Sequence, residues 1–160
     1  MKLYRVNDNY VNYLKTFDSK VQDNYKGKRA YVGIILTIDI HQYFAPLSSY
    51  KASQEKIKRN DTVFKLHARN NEEDKLGLIH INNMIPILTS EIQEINFKEE
   101  RKDYAILLRK QYQFILSNVD DINNQTQRLY KRVVEKNDPF HTRLSCNFKL
   151  LEKEYINFNK

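Results

Sequence analysis

Ala30-Tyr31-Val32-Gly33-Ile34-Ile35-Leu36-Thr37-Ile38 and, across a short polar turn at residues 39–41, Gln42-Tyr43-Phe44-Ala45-Pro46-Leu47 carry the strongest strand signal in the chain. Both runs are rich in β-branched, apolar and aromatic residues, which suit a pleated and half-buried surface, so the pair predicts a β-hairpin. Pro46 has no backbone donor and belongs at the end of its strand, which puts Ser48-Ser49 where the sheet ends. Their hydroxyls become candidates for display at a sheet rim.

Working outward, Lys2 to Val6 suits a short first strand, and Asn7 or Asp8 can cap a short helix with apolar positions at Tyr10, Val11 and Leu14. Residues 18–29 are polar and basic and predict an exposed loop. Downstream, Val63 to His67 and Leu76 to Ile79 predict a second hairpin around a polar turn at 69–74, and a further strand is expected around 87–95. From Lys98 the period lengthens: Tyr104, Leu107, Leu108, Gln111, Phe114, Ile115 and Val119 fall on one helical stripe. A second helix should run from Asp121 to about Lys136 and stop before Pro139, and Asn147 can cap a last one bearing Phe148, Leu151, Tyr155 and Phe158. Strands in the first 95 residues and helices after them argue an α+β fold, a strongly twisted antiparallel sheet surrounded by helices, with a mainly helical C-terminal half.

With 160 residues and only three Gly and three Pro, residues 1–160 read as one domain without a linker. Twenty-seven Lys and Arg against twenty Asp and Glu give a net charge of +7, so an anionic partner is expected. Cys146 is the only cysteine, which excludes an intrachain disulfide and makes the cytoplasm the default compartment. No apolar run approaches the ~20 residues a membrane helix needs, and the N-terminus lacks the apolar core of a signal peptide.

The chain has no CxxC, HExxH or DxDxDG, and His41, His67, His80 and His141 are scattered without ligand spacing, so neither a metal nor a cofactor is expected. Phosphate-cradling glycine loops and a GxSxG elbow are missing too. Polar and basic groups concentrate instead in two loops, Tyr25-Lys26-Gly27-Lys28-Arg29 and Ser48-Ser49-Tyr50-Lys51, which the hairpin brings to the same end. Metal-free RNA cleavage needs groups that help a 2′-hydroxyl attack the adjacent phosphate, donors for the developing charge, and a proton for the departing oxygen. Lys51, Arg29, Ser48, Ser49 and Tyr25 could supply them. The plainer readings stand beside this one: Ser-Ser after a strand is most often a turn or a helix cap, Lys28 and Lys51 are solvated, Tyr25 and His67 pack on the sheet, and Cys146 is a core residue.

A longer ordered set of segments sharpens the choice. Leu3-Tyr4, Tyr10, Tyr13-Leu14 and Phe17-Asp18 are followed by Ala30 to Ile34 and by Tyr43 to Ser49; then come Phe64 to His67, Leu76 to Ile79, Met84 to Ile87, and Cys146-Asn147-Phe148 with Leu151, Glu152 and Tyr155. In this order they resemble the ToxN/AbiQ/CptN family of type III toxin–antitoxin endoribonucleases. The resemblance implies a MazF/Kid-like twisted sheet with added helices, and metal-independent cleavage of single-stranded RNA to 2′,3′-cyclic phosphate and 5′-hydroxyl ends. It implies an active site of Ser48, Ser49, Lys51, Tyr25 and Arg29. Family members often carry Lys where this chain has Arg29; an Arg can clamp a phosphate but stays protonated, so Arg29 is no general base, and Lys28 stands next to it. Tyr25 and His67 both remain candidates for the group that protonates the leaving oxygen. Lys20, Lys26, Lys28, Tyr50, Lys56, Lys65 and His67 are the candidate RNA-binding residues. The partner implied is a repeat-derived RNA pseudoknot that inhibits the toxin and is cut by it, in a closed ring with three toxins and three RNAs, and the role implied is growth arrest or abortive infection of phage. A non-catalytic RNA-binding protein using the same basic groove is the rival reading, with a DNA-binding regulator behind it for want of any duplex-reading motif.

Overall fold

In the computed structural model, which describes residues 1–58 and 60–159, one antiparallel sheet runs through the molecule. Its strands are β1 (Lys2–Val6), β2 (Tyr31–Ile38), β3 (His41–Ser48), β4 (Phe64–Ala68), β5 (Asn71–Ile79), β6 (Ile85–Pro86) and β7 (Ile92–Glu94), in the order β4-β5-β3-β2-β1-β7 with β6 paired to β3. The helices are α1 (Asp8–Phe17), α2 (Lys102–Ser117), α3 (Val119–Val134), α4 (Pro139–Leu144) and α5 (Phe148–Glu154). The α+β reading holds: α2 packs on β4 and β5, α3 on β2, and α5 on β6. Among the described residues no helix is long and apolar enough to cross a membrane.

The central hairpin pairs Ile38 with His41 and Tyr31 with Pro46, and its turn is tighter than expected, with Asp39 left-handed at φ 52° as a two-residue connection requires. Pro46 does not end its strand. It ends the pairing with β2, and Leu47 and Ser48 continue β3 by pairing with Ile79 and Leu78 of β5. The missing Pro46 donor is harmless at this handover, where the Pro46 carbonyl accepts from His80 N at 3.0 Å.

Three further expectations need correction. The turn placed at 69–74 is only Arg69-Asn70; β5 starts at Asn71, and its first half is polar because that end of the strand is largely in solvent, which hid it from a search for apolar alternation. Residues 87–95 form a turn of 3-10 helix at Thr89–Glu91 and only a three-residue strand on the sheet edge. The second helix does stop before Pro139, at Val134, and the proline then opens α4: Asp138 caps it by accepting from His141 N, and a proline in the first helical position forgoes a donor that had no intrahelical partner. Phe158, expected on the last helix, lies past its end yet still packs on Tyr10 and Tyr13.

One charge is sealed in the core. Glu152, 4 % exposed, accepts from the hydroxyls of Tyr43 and Tyr130, each at 2.7 Å, and from Lys149 at 2.6 Å. Burial pushes this carboxyl up, but the bonds from Lys149, Tyr130 and Tyr43 outweigh it and hold the group below the usual carboxylate range. Glu152→Ala strands two buried hydroxyls and should cost about 3–5 kcal/mol in urea unfolding, whereas a cost under about 1 kcal/mol would mean the tyrosines find other acceptors.

Candidate active site

Where β3 leaves β2, a cleft of ≈ 680 Å³ opens between the loop after α1, the segment after β3, the end of β5 and one face of α2. Its first wall is built by strain. Tyr25, Lys26 and Gly27 are left-handed in succession, at φ 48°, 57° and 79°, a conformation only the glycine adopts without penalty. Buried Asn24 holds them there: its side chain donates to the Val6 carbonyl at 2.8 Å, and its own carbonyl accepts from Lys28 N and Arg29 N. Tyr25 is thereby left 60 % exposed, with the Arg29 guanidinium 4.7 Å from its ring centre. Arg29 donates to the carbonyls of Asp23 at 2.7 Å and Leu47 at 3.0 Å, so it ties this loop to the end of β3 and keeps three of its five N–H groups without a partner among the described residues.

The opposite wall holds the serines. Gln54, on a turn of 3-10 helix at Ala52–Lys56, donates to Ser48 Oγ at 3.3 Å and to the Ser49 carbonyl at 3.1 Å. Gln111 of α2 donates to the carbonyls of Leu76 at 2.9 Å and Ser48 at 3.4 Å. Gly77, at φ +128°, comes so close that a Cβ there would sit 1.8 Å from the Ser48 carbonyl oxygen, so only glycine lets β5 support this segment. Ser49 and Lys51 are exposed, and the Ser49 hydroxyl has no partner among the described residues.

His80, one residue past β5, completes the site: its Nε2 lies 2.8 Å from Ser48 Oγ. Burial first, then the positive charges of Arg29 and Lys51, lower its pKa to about 4. It is therefore neutral at pH 7. Since Ser48 Oγ accepts from Gln54, its own O–H is free to donate to the imidazole lone pair.

Residues 2–156 match the family model of toxin ToxN of type III toxin–antitoxin systems. The chain belongs to this family. It is 36% identical to the endoribonuclease ToxN of Pectobacterium atrosepticum, over 100% of this chain and 95% of that protein. It superposes at a TM-score of 0.90 on a solved structure of AbiQ, a lactococcal anti-phage endoribonuclease of a type III toxin–antitoxin system, with 31% identity over 98% of this chain and 96% of the other. A second solved structure, linked to selective toxin inhibition by a non-coding RNA pseudoknot, superposes at 0.87 with 29% identity over 99% of this chain and 98% of that one.

In this ToxN-family chain Ser48, Ser49, Lys51, Tyr25 and Arg29 all border the one cleft, with Lys20 and Lys28. The other residues expected to touch RNA lie outside it. Tyr50, Lys65 and His67 line a smaller depression alongside, and Lys26 and Lys56 are exposed at the loop tip and at the end of the 3-10 turn. His67 is turned to structure: its ring centre is 4.3 Å from that of Phe114, and Nδ1 is 2.9 Å from the Ala68 carbonyl. Of the two groups considered for protonating the leaving oxygen, only Tyr25 borders the cleft. His80, Gln54 and Gln111 are the members that sequence reasoning missed; their one signal was position, since His80 directly follows Leu76-Gly77-Leu78-Ile79.

Proposed function

We propose that residues 1–160 form a single endoribonuclease domain that cuts single-stranded RNA without a metal, in the cleft between Tyr25 and Ser49. The observation that carries this is the neutral His80 hydrogen-bonded to Ser48, set among the cations Arg29 and Lys51. Each part has a task in transesterification. Ser48 Oγ accepts the proton of the ribose 2′-hydroxyl and passes its own to His80 Nε2, the 2′-oxygen bonds to phosphorus, and the bond from phosphorus to the 5′-oxygen breaks. Ser49 O–H, Lys51 and Arg29 stabilise the charge on the non-bridging oxygens. The Tyr25 hydroxyl supplies a proton to the departing oxygen. The products are a 2′,3′-cyclic phosphate and a 5′-hydroxyl, and the protons balance when Tyr25 is restored from His80 through solvent.

Lys20 and Lys28 extend the positive cleft along which the RNA backbone is held. On the likeness to the pseudoknot-inhibited relative, an RNA pseudoknot cut from repeats is the inhibitor, arranged as three toxins with three RNAs in a ring, and release of the toxin in the cytoplasm arrests growth during phage infection. Incubating the RNA-free protein with mixed-sequence RNA in EDTA should give site-preferring cuts with cyclic phosphate ends. RNA that is bound but intact under these conditions would leave an RNA-binding module instead.

A further inference from the structure

Next to the cleft, with Gln54 and Leu78 as a shared wall, lies a depression of ≈ 120 Å³ also bordered by Tyr50, Glu55, His67 and Lys75. A cavity of about 150 Å³ holds one benzene ring, so this space suits a single planar ring and not a whole nucleotide. Its deeper wall is apolar, formed by buried Leu66, Gly77 and Leu78. Its rim is organised around Glu55, which accepts from the Tyr50 hydroxyl at 2.6 Å and from Lys75. Lys75 also stands 5.9 Å from the centre of the Tyr50 ring. Lys75 first and Tyr50 second hold the Glu55 carboxyl below its ordinary pKa, so it is an anion with lone pairs to offer.

Of the other polar residues on the rim, Glu72 is a further carboxylate and Lys65 a cation, and both side chains are exposed. His67 Nδ1 faces the Ala68 carbonyl, which places the ring proton there and leaves Nε2 as an acceptor. Gln54 is only 8 % exposed; its Nε2 braces the serines, and its Oε1 is buried without a hydrogen-bond partner among the described residues. Glu55 thus holds a fixed carboxylate acceptor, and His67 a ring nitrogen, at the rim of a ring-sized space, with Lys75 engaged by Glu55.

We infer that this depression is a base-selecting subsite: it takes the nucleobase adjacent to the scissile phosphate and prefers one with an exocyclic amino group, adenine, cytosine or guanine, over uracil. A carboxylate accepting from such an amino group is an established mode of base reading, and Tyr50 gives the base a face to lie against. Uracil presents carbonyl oxygens where the others present amino groups, so it would meet acceptors with acceptors. The inference rests on the ribonuclease reading and assigns its cleft a specificity determinant.

The test is to digest a randomised-sequence RNA in EDTA with the wild type, Glu55→Gln and Tyr50→Phe, sequencing the new 5′-hydroxyl ends. In the wild type, one position within two nucleotides of the cut should disfavour uracil by about tenfold or more. Glu55→Gln adds a donor at constant shape and should relax that preference to about threefold or less at this position alone. Tyr50→Phe, which frees the carboxylate without removing the ring, should keep the preference. Since Glu55 is exposed, both variants should melt like the wild type. An unchanged profile for Glu55→Gln, or an equal change at every position, overturns the subsite while leaving the ribonuclease intact; a wild type that cuts nothing overturns both.

Discussion

Ser49→Ala should lower the rate of RNA cutting by about 10²–10³-fold, the usual cost of removing one donor from a developing oxyanion. The side chain is exposed and its hydroxyl has no partner among the described residues, so nothing in the fold depends on it and stability should stay within about 0.5 kcal/mol of the wild type. Affinity for RNA should hold as well, because the cations Lys20, Lys28, Arg29 and Lys51 that line the cleft are untouched by the substitution. Ser48→Ala is a different experiment, since it strips His80 and Gln54 of their shared partner and disturbs the wall together with the chemistry. Single-turnover cleavage of an end-labelled RNA in EDTA, with affinity measured on an RNA that lacks the attacking 2′-hydroxyl, separates rate from binding. A loss under about fivefold would move the oxyanion role to Lys51 and Arg29 alone.

That Ser49 is legible in the sequence reflects how local its signals are. The β2–β3 hairpin is written in adjacent residues, and antiparallel geometry alone brings residues 25–29 and 48–51 to one end, which is why the five candidate catalytic residues share a cleft. His80 is a different case. It reaches Ser48 only because Leu47 pairs with Ile79, thirty-two residues apart in sequence, and because Gly77 lets the two backbones close up; neither register nor close approach leaves a mark on the residues around His80. The polar start of β5 and the six-residue α4 escaped for physical reasons of their own: a strand end in solvent needs no apolar alternation, and a proline reads equally as a stop or as a first helical turn. His67 is the reverse case, a titratable residue that lies outside the cleft, with its ring packed on Phe114 and its Nδ1 facing the backbone.

Replacing His80 by Ala should cost the cleavage rate about 10²–10⁴-fold, the range for a lost general base. A residue that only braced Ser48 would lose rate too, so the pH profile decides. With a pKa of about 4, His80 in the free enzyme keeps its lone pair down to strongly acidic pH, and the wild-type kcat/KM should fall only as the pH approaches that value. A bound phosphodiester places a negative charge beside Arg29 and Lys51, offsetting the two cations that, after burial, hold the pKa down. The acid limb of kcat, which reports the complex, should therefore lie above that of kcat/KM, and both limbs should vanish in His80→Ala. Stability provides the control. Between pH 6.5 and 4 the unfolded chain takes up a proton that folded His80 refuses, so stability falls as the pH drops through that window, by on the order of 3 kcal/mol, and the variant lacks this dependence. A variant whose acid limb matches the wild type would leave His80 as a brace for Ser48 and not the base.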